Sequence, residues 1–264
     1  MRALVLGGAG FIGTAACKEL MRRGVETIAA GRKDRPYGTF TSYRQVDRTD
    51  LEGLRGVLDE VRPDLLLDLA AGHVDEIEGT ARIFDGERYL LVSCDDHPGR
   101  LTIHPHAVLG AGDPTLRIAA YIQRVEDGGP VLLPLETYKR PAGLAWARDV
   151  GYACALACDL HRDVHGSYDV AFAGVSLEDL VLAIGQAVGM QVELIPVPRA
   201  ELPPGASPYE PTDLDGERMR QDLGFEPSAL EDCLAEVLAW YRTVRPSHPG
   251  YADRAEELKL AARR

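Results

Sequence analysis

The chain opens on a short apolar run, RALVL (residues 2–6). The next segment places Ile12, Ala16, Leu20 and Met21 along one side at helical spacing. A short apolar run next to a turn reads as a buried parallel strand, and a 3.6-residue period reads as an amphipathic helix. The pattern predicts that helix over residues 11–23, with Gly24 as its stop signal. The alternation then repeats. Strands are expected over 26–31 (ETIAAG), 43–47 (YRQVD), 64–71 (DLLLDLAA) and 88–93 (RYLLVS). Helices are expected over 51–61 and 74–84, the first introduced by Asp50 as N-cap. This order predicts an α/β, Rossmann-type doubly wound parallel sheet, with helices on both faces and right-handed crossovers.

The rhythm breaks after Ser93. Only seven residues separate it from Leu101, which opens the next expected strand, LTIHP. A parallel crossover ordinarily takes a dozen or more residues, and seven extended residues reach about 23 Å at most. Such a gap can return along a short strand but cannot hold a helix. One flank of the sheet is therefore expected to be exposed, or covered by another element. Further on, the pattern predicts helices over 115–125, 146–161 and 176–188, the last capped by Ser176. Strands are expected over 130–134, 168–173 and 191–198, then a loop rich in Pro and Gly, then closing helices over 214–223 and 229–242. The tail from Pro246 is expected to be helical but poorly anchored. Residues 1–110, with returns from about 146–175, form the expected dinucleotide-binding core. Residues 111–264 form mostly a small substrate lobe and the closing helices.

Composition narrows the classes. With 264 residues, 45% of them hydrophobic, the chain can bury one large domain, or a main domain with a small lobe. A net charge of −12 without a Lys/Arg run argues against nucleic acid and anionic membrane surfaces as partners. No apolar stretch approaches the roughly 20 residues of a membrane span, and the start has no signal-peptide pattern. Five cysteines, at 17, 94, 154, 158 and 233, complete no metal set. Reduced thiols in a cytoplasmic protein are the expectation.

The first turn carries the candidate chemistry. Gly7, Gly10 and Gly13 lie between the first strand and helix, and Gly8 completes a literal G-x-G-x-x-G over residues 8–13. One glycine permits the tight turn, one lets the backbone approach a pyrophosphate, and one lets helix and strand pack closely. The helix start at Phe11 and Ile12 then offers free amides and a partial positive charge to phosphates. An NAD site usually ends its second strand with Asp or Glu, to accept from the ribose 2′-hydroxyl. Here Gly31 is followed by Arg32 and Lys33, with Arg35 beyond Asp34. Cations there attract a 2′-phosphate, so NADP is expected in preference to NAD. Asp47 can accept from the adenine amino group, with Val46 and Arg48 beside the ring. Leu69, Ala70 and Ala71 would line the passage of the cofactor's ribose.

With these residues in view, the chain resembles an extended or atypical short-chain dehydrogenase/reductase, the group of NAD(P)-dependent epimerases and dehydratases. GGAGFIG resembles the glycine motif, VDRTD the adenine-side segment, and IHPHAVLGAGDPT the segment after the sixth strand. WARDVGYACALA and DLDGERMRQDLGFEPSALEDCLAEVLAWY resemble later family segments in the family's order. The resemblance implies a small-molecule substrate and a catalytic Tyr-x-x-x-Lys on a helix after the fifth strand. That helix is the one the gap cannot hold. The family's common dimer uses it, so any dimer must be built differently.

The residues expected near the nicotinamide are therefore unusual ones. Ser93 stands where the family's catalytic Ser or Thr would lie. Asp95 and Asp96 are a candidate carboxylate acid/base pair or a polar turn. His106 follows Pro105, where the resemblance places the nicotinamide amide, and a histidine there can replace Tyr as proton donor. Tyr138 could reach a pocket from a loop. Three readings stay open: an NADP-dependent reductase of a small organic substrate, a non-redox cyclase, lyase or isomerase on the same scaffold, and a silent NADP-binding module.

Overall fold

The structure is a computed structural model that describes all residues except Arg35, Asp96, Pro208, Glu210, Pro211, Asp213 and Asp215. In chain order its elements are β1 (Arg2–Leu6), α1 (Phe11–Arg22), β2 (Glu26–Gly31), β3 (Ser42–Gln45), α2 (Leu51–Val61), β4 (Leu65–Asp68), α3 (Val74–Ile83), β5 (Arg88–Val92) and β6 (Leu101–Pro105). There follow β7 (Ala107–Leu109), α4 (Arg117–Glu126), β8 (Val131–Pro134), β9 (Leu144–Trp146), α5 (Ala147–Ala157), β10 (Ser167–Val170), α6 (Leu177–Val188), β11 (Leu194–Val197), α7 (Glu217–Leu223), α8 (Leu230–Val244) and α9 (Arg254–Ala261). The chain divides into two compact units. The first holds residues 1–105, 147–170 and a run through Glu226 that carries α7; the second holds the rest.

The first unit is built on a seven-stranded sheet in the order β10-β6-β5-β4-β1-β2-β3, with every neighbouring pair parallel. The order reverses between β1 and β4, which opens a crevice at the carboxyl ends of those strands. On one face, α2 and α3 cover Leu4, Leu6, Ile28, Ala30 and Leu66 with Leu54, Leu58, Val61 and Ile83. α1 and α5 pack against each other so tightly that a Cβ on Gly151 would lie 2.7 Å from the Ala15 carbonyl carbon. Asp50 caps α2 as expected, its Oδ1 accepting from the Gly53 amide at 3.0 Å.

Between Ser93 and Leu101 the described residues form no helix. The short connection suffices because β6 enters beside the middle of β5: Leu101 is level with Leu90, and Ile103 with Val92. The chain retraces only two residues of strand, about 7 Å. The connection is tied to α3 by Arg100, which donates to Glu78 at 2.7 Å.

Register shows what changes on the sheet where the helix is missing. Leu66 and Tyr89 are level and both pack on the α2/α3 side. Following the pairs across, that side carries Asp68, Leu91, Thr102, His104, Ser167 and Asp169. The opposite side carries Leu90, Val92, Ile103, Tyr168 and Val170, an apolar set. The end of the sheet beside this short connection thus presents mostly polar side chains on that side, where packing under a helix would need apolar ones.

The second unit contains two parallel two-stranded sheets, β7 with β9 and β8 with β11. β7 and β9 were not expected from the pattern, because three residues are too few to show a period. Trp146, expected to open a helix, ends β9 instead, and α5 stops at Ala157 rather than His161. The poorly anchored tail is corrected outright. Glu257 of α9 is fully buried and makes a bidentate ion pair with fully buried Arg124 of α4. Arg254 pairs with Asp127 through two hydrogen bonds of 2.6 and 2.7 Å. Charged residues read as solvated in a sequence, which hid this anchor.

Among the described residues no helix is long and apolar enough to cross a membrane, and no cluster suits a metal ion. All five cysteines are free thiols. Burial pushes the Cys17 and Cys158 thiols up to about 12, which keeps them unreactive.

Candidate functional site

The glycine turn closes as its spacing demands. Gly7 adopts a positive φ of 79°, the left-handed conformation that favours glycine. A Cβ on Gly13 would lie 2.2 Å from the Gly7 carbonyl oxygen, and one on Gly8 would lie 2.7 Å from the Ala29 Cβ. Gly10 is the N-cap of α1, with no side chain on its amides. The first intrahelical bond runs from Thr14 N to Gly10 O, so the amides of Phe11, Ile12 and Gly13 have no intrahelical acceptor. Leu69 and Ala70 pass 3.5 Å from where a Gly7 Cβ would stand.

A cleft of about 400 Å³ lies over this turn. Its walls bring together Gly7, Gly10, Arg32, Lys33, Asp47, Arg48 and Ala70. Phe11, Ile12, Gly13, Leu69, Ala71 and Pro105 do not line it; Gly13 acts by close packing beneath the turn, and Pro105 ends β6. The volume is within the range of small-ligand clefts. Tyr43, His73 and Glu76 also line it and were not anticipated.

Two cations reach the cleft from the end of β2. The Lys33 ammonium donates to the Ala9 carbonyl at 3.1 Å, which holds it against the glycine turn. The Arg32 side chain is exposed, and its backbone carbonyl accepts from Gln45 at 3.1 Å. Asp47 is exposed; the amide and hydroxyl of Thr49 hold its carboxyl below the usual range, with Arg32 and Arg48 adding to the shift.

Arg48 plays a part the sequence did not show. Although it edges the cleft, its guanidinium turns inward, donating to Asp68 at 2.8 Å, to Glu76 at 2.9 Å and to Thr80 at 2.9 Å. It ties β4 to α3. Burial pushes the Asp68 carboxyl up, opposed by Arg48 and by hydrogen bonds that include the Tyr89 hydroxyl at 2.8 Å.

The catalytic candidates do not gather in one unit. Ser93 and Asp95 lie in the first. Ser93 follows β5, its amide bonded to Ile103 O at 3.2 Å. Its Oγ accepts from the Asp95 amide at 3.1 Å and sits 3.0 Å from His97 Nε2. Asp95 is exposed, and Asp96 lies outside the described residues. His104 bridges two elements, with Nδ1 3.0 Å from Asp169 Oδ1 and Nε2 2.7 Å from the Cys94 carbonyl. The Ser93–His97 and His104–Asp169 contacts were invisible in the sequence, because they need the loop path and the β6–β10 register.

His106 and Tyr138 lie in the second unit. His106 Nε2 is 2.9 Å from the Thr212 hydroxyl. Tyr138 lies on a turn after β8, not on a strand, with the Lys139 ammonium 5.3 Å from its ring centroid. Lys139 therefore approaches the face of the ring. Tyr121 is fully buried, its hydroxyl 3.0 Å from Ser207 Oγ, and is core.

No curated protein matches the chain. Among solved structures, it is similar to UDP-glucose 4-epimerase from Thermus thermophilus in complex with NAD, at 19% identity and a TM-score of 0.70, covering 92% of this chain and 100% of that one. It is also similar to UDP-glucose 4-epimerase from Thermotoga maritima with UDP-glucose (16%, TM-score 0.71, 93% and 100% covered). A third is the Bordetella bronchiseptica enzyme WbmG in complex with NAD (16%, TM-score 0.70, 92% and 94%). At these identities the likeness is one of fold. Residues 3–100, which span the glycine turn, the cleft and the loop after β5, match the model of the NAD dependent epimerase/dehydratase family.

Proposed function

We propose that the first unit binds NADP(H) and that the protein is a reductase of a small organic carbonyl compound. One observation carries the reading: a glycine turn, with three helix amides free of intrahelical acceptors, opens into a cleft whose β2 side supplies Arg32 and Lys33 and no ribose-binding carboxylate at the strand end. The amides of Phe11, Ile12 and Gly13 suit a pyrophosphate. Lys33 and Arg32 suit a 2′-phosphate, and Asp47 suits the adenine amino group. Two of the similar structures are complexes with NAD, so preference between the two dinucleotides is the point to measure. Titration of the protein with NADP and NAD tests it: NADP is expected to bind more tightly, and no binding of either dinucleotide overturns the reading.

When bound, the dinucleotide would supply hydride chemistry. The chain's task is to exclude water, orient the substrate and move one proton. The absent Tyr-x-x-x-Lys leaves that proton to other groups. If His106 handles it, His106→Ala lowers turnover and leaves NADP affinity unchanged. Unchanged turnover removes that imidazole and returns the task to the loop after β5.

The same absence supports a second reading, a non-redox enzyme or a silent module that retains NADP. Tight NADP retention without any change at the reduced-nicotinamide absorbance, across candidate carbonyl substrates, would favour it.

A further inference from the structure

We infer that Ser93 and His97 form a proton relay at the nicotinamide end of the bound dinucleotide, in place of the missing helix. The inference deepens the reductase reading and rests on it.

The argument begins with position. The cleft over β1, β2, β3 and β4 suits the adenosine half and the pyrophosphate. A dinucleotide crossing the carboxyl ends of a parallel sheet continues to the other side of the switch point. β5 is two strands from β1 in that direction, about 10 Å away. Ser93 is the first residue beyond the carboxyl end of β5.

The second step is local chemistry. Ser93 Oγ accepts from the Asp95 amide, and His97 Nε2 lies 3.0 Å away. In the tautomer that carries its proton on Nε2, His97 also donates to Oγ, which leaves the Ser93 proton for a substrate oxygen. A hydroxyl in hydrogen-bond contact with an imidazole is the arrangement that moves protons in many enzymes. His97 is half-buried, so it touches both the loop interior and water.

The third step is support. The loop is held at both ends: Arg100 to Glu78 on α3, and the Cys94 carbonyl to His104, which Asp169 orients. The sheet side that meets it carries partly exposed His104, Ser167 and Asp169, polar side chains unsuited to packing under an apolar helix. In the reductive direction, the carbonyl carbon accepts a hydride from reduced nicotinamide. The carbonyl oxygen takes the Ser93 Oγ proton, Ser93 takes the His97 Nε2 proton, and His97 regains a proton from water.

Diethyl pyrocarbonate labelling of the full chain, read for each histidine by mass spectrometry, tests this without a known substrate. At NADPH tenfold above its dissociation constant, His97 is expected to react about tenfold more slowly. Adenosine 2′,5′-bisphosphate, which lacks the nicotinamide half, should bind and leave the His97 rate unchanged. An unchanged rate with NADPH bound, or equal protection by the bisphosphate, overturns the relay while leaving the cofactor reading standing. If neither ligand binds, both fall. Ser93→Ala should alter His97 labelling in the free protein with NADPH affinity held within about twofold; an unaltered rate overturns the contact. Once a carbonyl substrate is found, His97→Gln should lower hydride transfer about 10²- to 10⁴-fold.

Discussion

The two ends of the seven-stranded sheet differ in how they bury their faces. At the β1-β2-β3 end, β1 and β2 run apolar, α1 and α2 close over them, and the glycine turn leaves no room for a methyl group. At the β5-β6-β10 end, one side of the sheet has turned polar, and a short loop stands where the resemblance would place a helix. The first end is constrained by packing. At the second end no helix of the described residues follows β5 directly, and polar side chains take the place of an apolar packing surface.

The contrast can be broken from either side. The largest effect is expected from Gly13→Ala, whose Cβ would meet backbone at 2.2 Å. Overpacking of that kind should cost about 3 kcal/mol, read as a lower melting temperature together with lost nucleotide binding. A wild-type melt would show that the turn is looser than described. Gly56→Ala, with nothing within 4 Å of the new Cβ, serves as control and should stabilise α2 by up to about 1 kcal/mol.

Arg32→Asp should weaken NADP about tenfold to a hundredfold, the worth of one hydrogen bond to a charged group. NAD affinity should be unchanged. Equal loss for both nucleotides would defeat the 2′-phosphate assignment.

At the polar end the expected effects are smaller. Asp169→Asn removes the charged partner of His104. Both side chains are partly exposed, at 25% and 18%, so the loss of stability should stay within about 1 kcal/mol. A denaturant midpoint measures it, and a loss of several kcal/mol would mean that this end is as tightly packed as the other. Thr102→Val should be smallest. The Thr102 Oγ1 is buried without a partner among the described residues, so an isosteric methyl should be neutral or stabilise by less than about 1 kcal/mol. A marked destabilisation would reveal a partner for the hydroxyl.

Much of the fold was legible, for particular reasons. The strands over 2–6, 26–31 and 101–105 and the helix over 51–61 appear as expected, because apolar runs, periodic spacing and the Asp50 cap act locally. Ser176 caps α6 through a reciprocal pair with Asp179, again a local signal. The gap after Ser93 was legible by length alone. The strands β7 and β9, the inward turn of Arg48 and the anchoring of the tail by Arg124 were not. Each depends on a partner distant in the chain: Ala107 on Leu144, Arg48 on Asp68 and Thr80, Glu257 on Arg124.

By itself, then, the chain's order of residues determined the parallel architecture, the glycine turn and the impossibility of a helix between Ser93 and Leu101. Period, turn chemistry and reach are properties of neighbouring residues. Only the tertiary structure decided that Asp169 meets His104, that Ser93 meets His97, and that one side of the sheet is polar where a helix is missing. Register across strands and the path of a loop join residues whose separation in the chain carries no trace of their contact.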